Sequence, residues 1–153
     1  MIEITGYKDE YKDHFKTLNL EWIQKYFVIE PADEYVLSNP QSAILDNGGF
    51  IFFAKYDAEI VGTCALLKVN GQTFELAKMA VNEKFQNLGI GKLLMEKSIQ
   101  KAKEIQMEKL ELYTNNQLIK ALDIYHKYGF QVVPLDNHST KRANIKMELI
   151  YEH

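Results

Sequence analysis

The chain has 153 residues, 46% of them hydrophobic, a formal net charge of -3 and a sequence pI near 5.8, enough to bury one core as a single domain over residues 1–153 without a disulfide or a structural metal. The acidic balance argues against a nucleic-acid partner, which needs a basic face, and the one cysteine, Cys64, leaves no disulfide framework and no zinc cluster. No apolar run approaches the roughly 20 residues that span a bilayer, so a cytoplasmic protein with no membrane partner is expected.

Residues 2–5 read as a first strand. Residues 9–27 carry Phe15, Leu18, Trp22, Ile23 and Tyr26 at helical spacing, and the exit of this amphipathic helix, Trp22, Tyr26 and Phe27, is unusually aromatic. That exit either caps the core or lines a pocket. Short helices with a break at Asn39 and Pro40 fill residues 31–45, up to the turn signal Asn47, Gly48, Gly49. The period then changes to that of strands. Residues 50–56, 59–69 and 74–81 form an antiparallel meander, joined by Asp57-Ala58 and by Asn70-Gly71. Cys64, inside an apolar strand run, reads as an inert core thiol.

After Val81 a polar turn leads into Gly89-Ile90-Gly91, and Gly91, Leu94, Met95, Ile99, Ala102 and Ile105 mark a helix that ends near Met107. Residues 109–114 alternate as a strand, so strand, helix and strand make a βαβ unit. Residues 118–128 are a last amphipathic helix stopped by Gly129, and strands at 130–133 and 143–150 close the chain around the polar loop 136–141. His126, roughly 100° around the helix from Tyr125, reads as a surface residue.

A strand that runs through a glycine loop into a helix collects unpaired N–H groups and the positive end of a helix dipole, an arrangement suited to a phosphate. Spacing separates the anion-binding loops of this kind. A dinucleotide fingerprint fails because Leu94 stands where its closing Gly or Ala belongs, and a P-loop fails because Gln86 replaces its first Gly and Leu93 follows Lys92. What remains is Gln86, Asn87, Leu88, Gly89, Ile90 and Gly91, of the form Q-x-x-G-x-G. A second block, Ala121, Tyr125, Gly129 and Phe130, has the form A-x-x-x-Y-x-x-x-G-F.

With these blocks, and in its order of elements over nearly its whole length, the chain resembles the GNAT N-acetyltransferase superfamily, in particular small bacterial members with Glu-Leu-Ala-Lys-Met-Ala-Val in the fourth strand. The resemblance implies an α+β fold, a mostly antiparallel twisted sheet of about seven strands flanked by about four helices, with a V-shaped splay between the fourth and fifth strands. It also implies acetyl-coenzyme A as cofactor, held by the backbone of Met79, Ala80 and Val81 along the pantetheine arm and by Gln86, Asn87, Leu88, Gly89, Ile90, Gly91 and Lys92 around the pyrophosphate. Acetyl transfer to an amine then proceeds by direct attack in a ternary complex, with no metal. A backbone N–H near Met79 is the expected oxyanion donor.

Two residues match the family's acid and base positions. Tyr125 corresponds to the tyrosine that in many members protonates the leaving thiolate, against the alternative of a core tyrosine with a bonded hydroxyl. Glu75 corresponds to a position where several members carry the general base, directly or through water, against the alternative of a solvated strand glutamate. One departure is Leu118, which stands where many members have a cofactor-contacting asparagine, and Asn115 or Asn116 is the candidate replacement. For the acceptor, Trp22, Tyr26, Phe27, Glu30, Asp33 and Tyr113 suit a polyamine-like cation, whereas Arg142 suits the carboxylate of an amino acid derivative; a basic peptide is a further acceptor class. The competing function is a non-catalytic acyl-coenzyme A sensor or partner module, and the resemblance adds a homodimer to the expected assemblies.

Overall fold

The structure, a computed structural model, describes residues 1–136 and 141–152. The predicted loop over 136–141 therefore falls mostly outside the described residues. The meander appears as β2 (Phe50–Tyr56), β3 (Glu59–Lys68) and β4 (Thr73–Val81), preceded by β1 (Ile2–Gly6), α1 (Lys12–Tyr26) and α2 (Pro31–Ser38). After it come α3 (Ile90–Glu104), β5 (Lys109–Thr114), α4 (Ile119–Lys127), β6 (Gln131–Val133) and β7 (Ile145–Ile150). All seven strands join one sheet in the order β1-β2-β3-β4-β5-β7-β6. Only β4 and β5 run parallel.

Strand alternation divides the core between the two faces of this sheet. Ile51, Phe53 and Ala65 point to the face covered by α1 and α2, where Phe15, Leu18, Ile23 and Leu37 are buried. Phe52, Ala54, Cys64 and Leu66 point to the other face, packed with Ile90, Leu94, Met95 and Ala102 of α3. The helix α4 lies over this second face less deeply, and none of its residues is fully buried.

Turn chemistry deviates from the sequence reading at one hairpin. Asp57 and Ala58 alone connect β2 to β3, with Asp57 at a φ of 55°. The Asn70-Gly71 signal instead sits in a wider loop over residues 69–72, because the Asn70 side chain accepts the Gln72 N–H at 2.9 Å and holds the turn itself.

The parallel β4–β5 ladder is short. It runs from Thr73 opposite Lys109 to Leu76 opposite Leu112 and stops, so that residues 77–81 of β4 keep a partner only in β3 among the described strands. This is the expected splay. A bulge marks the point of departure: Thr63 faces Ala80 and Ala65 faces Ala77, leaving Cys64 opposite both Lys78 and Met79, with Lys78 at a φ of 54°. The extra residue bends the strand away from β5.

Close seating of α3 sets the other wall of the opening. Gly62 of β3 lies under its first turn, and a Cβ there would stand 3.0 Å from Ile90 Cγ2 and 3.3 Å from Leu94 Cδ1. Gly62→Val is expected to cost about 1–3 kcal/mol by overpacking, measured as a lower urea midpoint with an unchanged slope. A wild-type midpoint would show that α3 does not depend on this contact.

Candidate active site

The splay opens a cleft of about 750 Å³, bounded by residues 75–81 of β4, the loop and first turn of α3, the ends of α1 and β5, and the start of α4. That volume lies in the range of small-molecule sites. At one end, Gly89 precedes α3 with a φ of 81°, and Asn87 takes a φ of 66°. None of the N–H groups from residue 87 to 92 finds an acceptor among the described residues. A Cβ on Gly89 would meet nothing within 4 Å, so glycine is required here by conformation, not by crowding. Free amides at the positive end of a fifteen-residue helix are an anion cradle.

Of the predicted donor-site residues, Met79, Ala80, Val81, Gln86, Asn87, Gly89, Ile90, Gly91, Lys92, Asn115 and Tyr125 line the cleft. Leu88 and Asn116 do not. Leu88 is half exposed to solvent, and the Asn116 amide and side chain both bond to Asn144. The Asn115 side chain is also committed: it donates to the Arg142 carbonyl at 2.6 Å and accepts from the Gln117 N–H at 2.9 Å. It ties the start of α4 to the approach to β7. Leu118, the position of the departure noted above, reaches the cleft itself together with Gln117, Ile119 and Lys120, three residues that no sequence motif singles out.

Tyr125 packs edge-on against Phe130 at 5.9 Å, part of the second face's core, yet its hydroxyl has no hydrogen-bond partner among the described residues and is not sealed from solvent. Burial of the ring pushes the phenol up to about 12, with the nearby Cys64 adding to the rise. The group is therefore a protonated donor across the neutral range. Cys64 has no exposed surface; burial lifts its thiol to about 12 even though Ser98 hydrogen-bonds it. Glu75 lines the cleft from the paired part of β4, on the α1 face of the sheet and beside Glu111 of β5.

The aromatic exit of α1 lines the pocket, and Trp22 and Phe27 also pack against the core on the α1 face. Trp22 stands 5.4 Å from Tyr26 and 5.9 Å from Phe27, and all three face the cleft. Tyr113 lines it too, and its hydroxyl donates to Asp136 at 2.6 Å. Glu30 and Asp33 do not line the cleft. Glu30 and Asp33 instead hold Arg142, whose two terminal nitrogens donate to the Asp33 carboxylate at 2.7 Å each, while Nη1 also donates to Glu30 at 3.4 Å. Lys78, from the bulge, adds a third cationic contact to Asp33 at 3.3 Å.

Asp33 is fully buried. Burial pushes its carboxyl up, but hydrogen bonds from Arg142 and the Glu30 N–H, with the charges of Lys78 and Arg142, outweigh burial and bring it down to about 2. A depressed carboxyl stabilises the fold above its unfolded value and loses that contribution as pH falls through its folded value. Stability worth about 2 kcal/mol is thus expected to disappear between about pH 4 and pH 2. Urea midpoints against pH for the wild type and Asp33→Asn test this: the wild type should show the added acid slope, and identical slopes would remove the assignment.

A model of the acetyltransferase (GNAT) family matches residues 15–130. An uncharacterised N-acetyltransferase of Bacillus subtilis (strain 168), YvbK, is 34% identical over 111 residues, 71% of this chain and 72% of that protein. Among solved structures, a GNAT-family acetyltransferase from Staphylococcus aureus Mu50 superposes with a TM-score of 0.86 at 27% identity, covering 97% of this chain and 98% of its own. One from Elizabethkingia anophelis, with acetyl-CoA bound, superposes with a TM-score of 0.65 at 26% identity, covering 98% of each chain. A cleft opened by a β4 bulge beside a free helix N-terminus is therefore accompanied by kinship in sequence and in fold, and the chain belongs to the acetyltransferase (GNAT) family of N-acetyltransferases.

Proposed function

We propose that the chain, acting as one domain over residues 1–153, transfers an acetyl group from acetyl-coenzyme A to a primary amine, by direct attack in a ternary complex. The observation that carries this reading is the coincidence, in one cleft, of an unpaired β4 edge, a run of free amides before α3, and the open Tyr125 hydroxyl. Acetyl-coenzyme A supplies an activated thioester when bound. Its amide-bearing arm suits the edge of Met79, Ala80 and Val81 as an added strand would. Its pyrophosphate suits the amides from residue 87 to 92, with Lys92 at the rim.

The chain's own groups divide the proton work. Glu75 takes a proton from the ammonium of the acceptor, directly or through water, because only a neutral amine is a nucleophile. Tyr125 gives its proton to the departing sulfur. A phenol held protonated to about pH 12 is suited to that task, since a thiolate leaving in a partly dry cleft gains from a donor close at hand. Tyr125→Phe is expected to lower kcat by about 10² or more with the affinity for acetyl-coenzyme A unchanged, and wild-type turnover in that variant would exclude the acid role. Thiol release from acetyl-coenzyme A across amines, amino acids and basic peptides tests the reading as a whole. Tight donor binding with no acceptor turned over would favour the acyl-coenzyme A sensor.

A further inference from the structure

Asp33 lines no part of the cleft, yet it is joined to two residues that do, Lys78 of β4 and Arg142 before β7. It is fully buried and accepts from the Glu30 N–H at 2.9 Å, from both terminal nitrogens of Arg142 at 2.7 Å and from Lys78 Nζ at 3.3 Å. The capping box it forms with Glu30 at the start of α2 fixes it from behind. Lys78 therefore reaches a carboxylate that is already held in place.

What Lys78 does at that point shows in the side-chain parity of β4. Phe74 and Leu76 belong to the core on the α3 face. Strict alternation would send Ala80 to that face and turn Met79 and Val81 to the other. The reverse holds: Met79 and Val81 pack on the α3 face, and Ala80 is buried on the α1 face. A residue between Leu76 and Ala80 has to absorb the switch, and Lys78 does so at a φ of 54°, a conformation that is costly for a residue with a Cβ. Its neighbours Ala77 and Met79 carry no charge that Asp33 could hold.

We infer that Asp33 is a positioning residue for the donor site: by holding Lys78 it fixes where β4 takes up its extra residue, and thereby which backbone groups of Met79, Ala80 and Val81 face the cleft. The inference rests on the reading of that edge as the one that takes the arm of acetyl-coenzyme A.

Calorimetric titration of coenzyme A tests it in the wild type, Asp33→Asn, Lys78→Met, Lys78→Arg and a variant carrying both Asp33→Asn and Lys78→Met, with circular dichroism to establish folding. Asp33→Asn and Lys78→Met should each weaken binding about tenfold, and together no more than either alone. Lys78→Arg, which keeps the charge and the reach, should bind as the wild type does. The direction for Asp33→Asn separates anchoring from direct contact, because a Lys78 that served the phosphate-rich donor by its own charge would be released by that change and bind it more tightly. Wild-type or tighter binding by a folded Asp33→Asn, or losses that add in the variant with both changes, overturns the inference.

If Asp33→Asn does not fold, Lys78→Met decides, since Asp33 there keeps Arg142 and the Glu30 N–H. Hydrogen exchange of its β4 amides without ligand should quicken, which the loss of a direct contact with the donor would not cause, and wild-type exchange overturns the inference. A wild type that binds no coenzyme A removes the donor reading and the inference with it, whereas tight binding that no variant alters removes the inference alone.

Discussion

An unpaired strand edge inside a sheet is the constraint on which the rest of this structure depends. Backbone N–H and C=O groups left without partners are costly unless water or a ligand takes them, so a sheet normally closes such gaps. Here the gap is held open. The β4–β5 ladder ends at Leu76 and Leu112, the bulge at Lys78 bends the free end of β4 away, and β5 spends its other edge on β7. On the α1 face, Lys78, Asp33 and Arg142 link the bulge to α2 and to the approach to β7, which fixes the width of the opening from both sides. On the other face, Gly62 lets α3 come close enough to aim its N-terminus at the same gap.

The electrostatics of the cleft follow from this frame. A helix start with free amides, together with Lys92 and Lys120, makes one end positive through groups that pair with no carboxylate among the described residues. At the other end each cation is answered inside the protein before a ligand arrives. The result is a polarity along a single cavity, with its positive end at the N-terminus of α3.

Most of the architecture was legible in the sequence because it is local. The strands announce themselves by alternation, Phe52 and Ala54 to one face and Ile51 and Phe53 to the other, and the glycine loop by its spacing. The lining of the cleft was legible where backbone makes it, at Met79 to Val81 and Gly89 to Gly91, and where one motif places one side chain, at Tyr125. It was not legible where partners are far apart in the chain. Arg142 and Asp33 are 109 residues apart, and no pattern in either neighbourhood says that each has the other. For the same reason Asn115, sensibly read as a ligand group, is a strut to Arg142 27 residues away. The bulge at Lys78 escaped as well, since its sequence is that of an ordinary strand and only the register with Cys64 reveals the extra residue.

Cys64 and Tyr125 show how burial can leave two groups of similar acidity with different chemical reach. Both lie on the α3 side of the sheet, near enough for the thiol to raise the phenol further, and burial pushes each of them up to about 12. A thiol must ionise to attack a thioester. Cys64 is closed off beneath α3, in contact with Ser98 and 3.8 Å from the Leu94 carbonyl, so it can neither form a thiolate at neutral pH nor reach the cleft. Tyr125 has the same elevated value but an open hydroxyl, and for an acid that value is an asset rather than an obstacle. The two groups differ less in acidity than in exposure, and exposure decides which of the two can exchange a proton in the cleft.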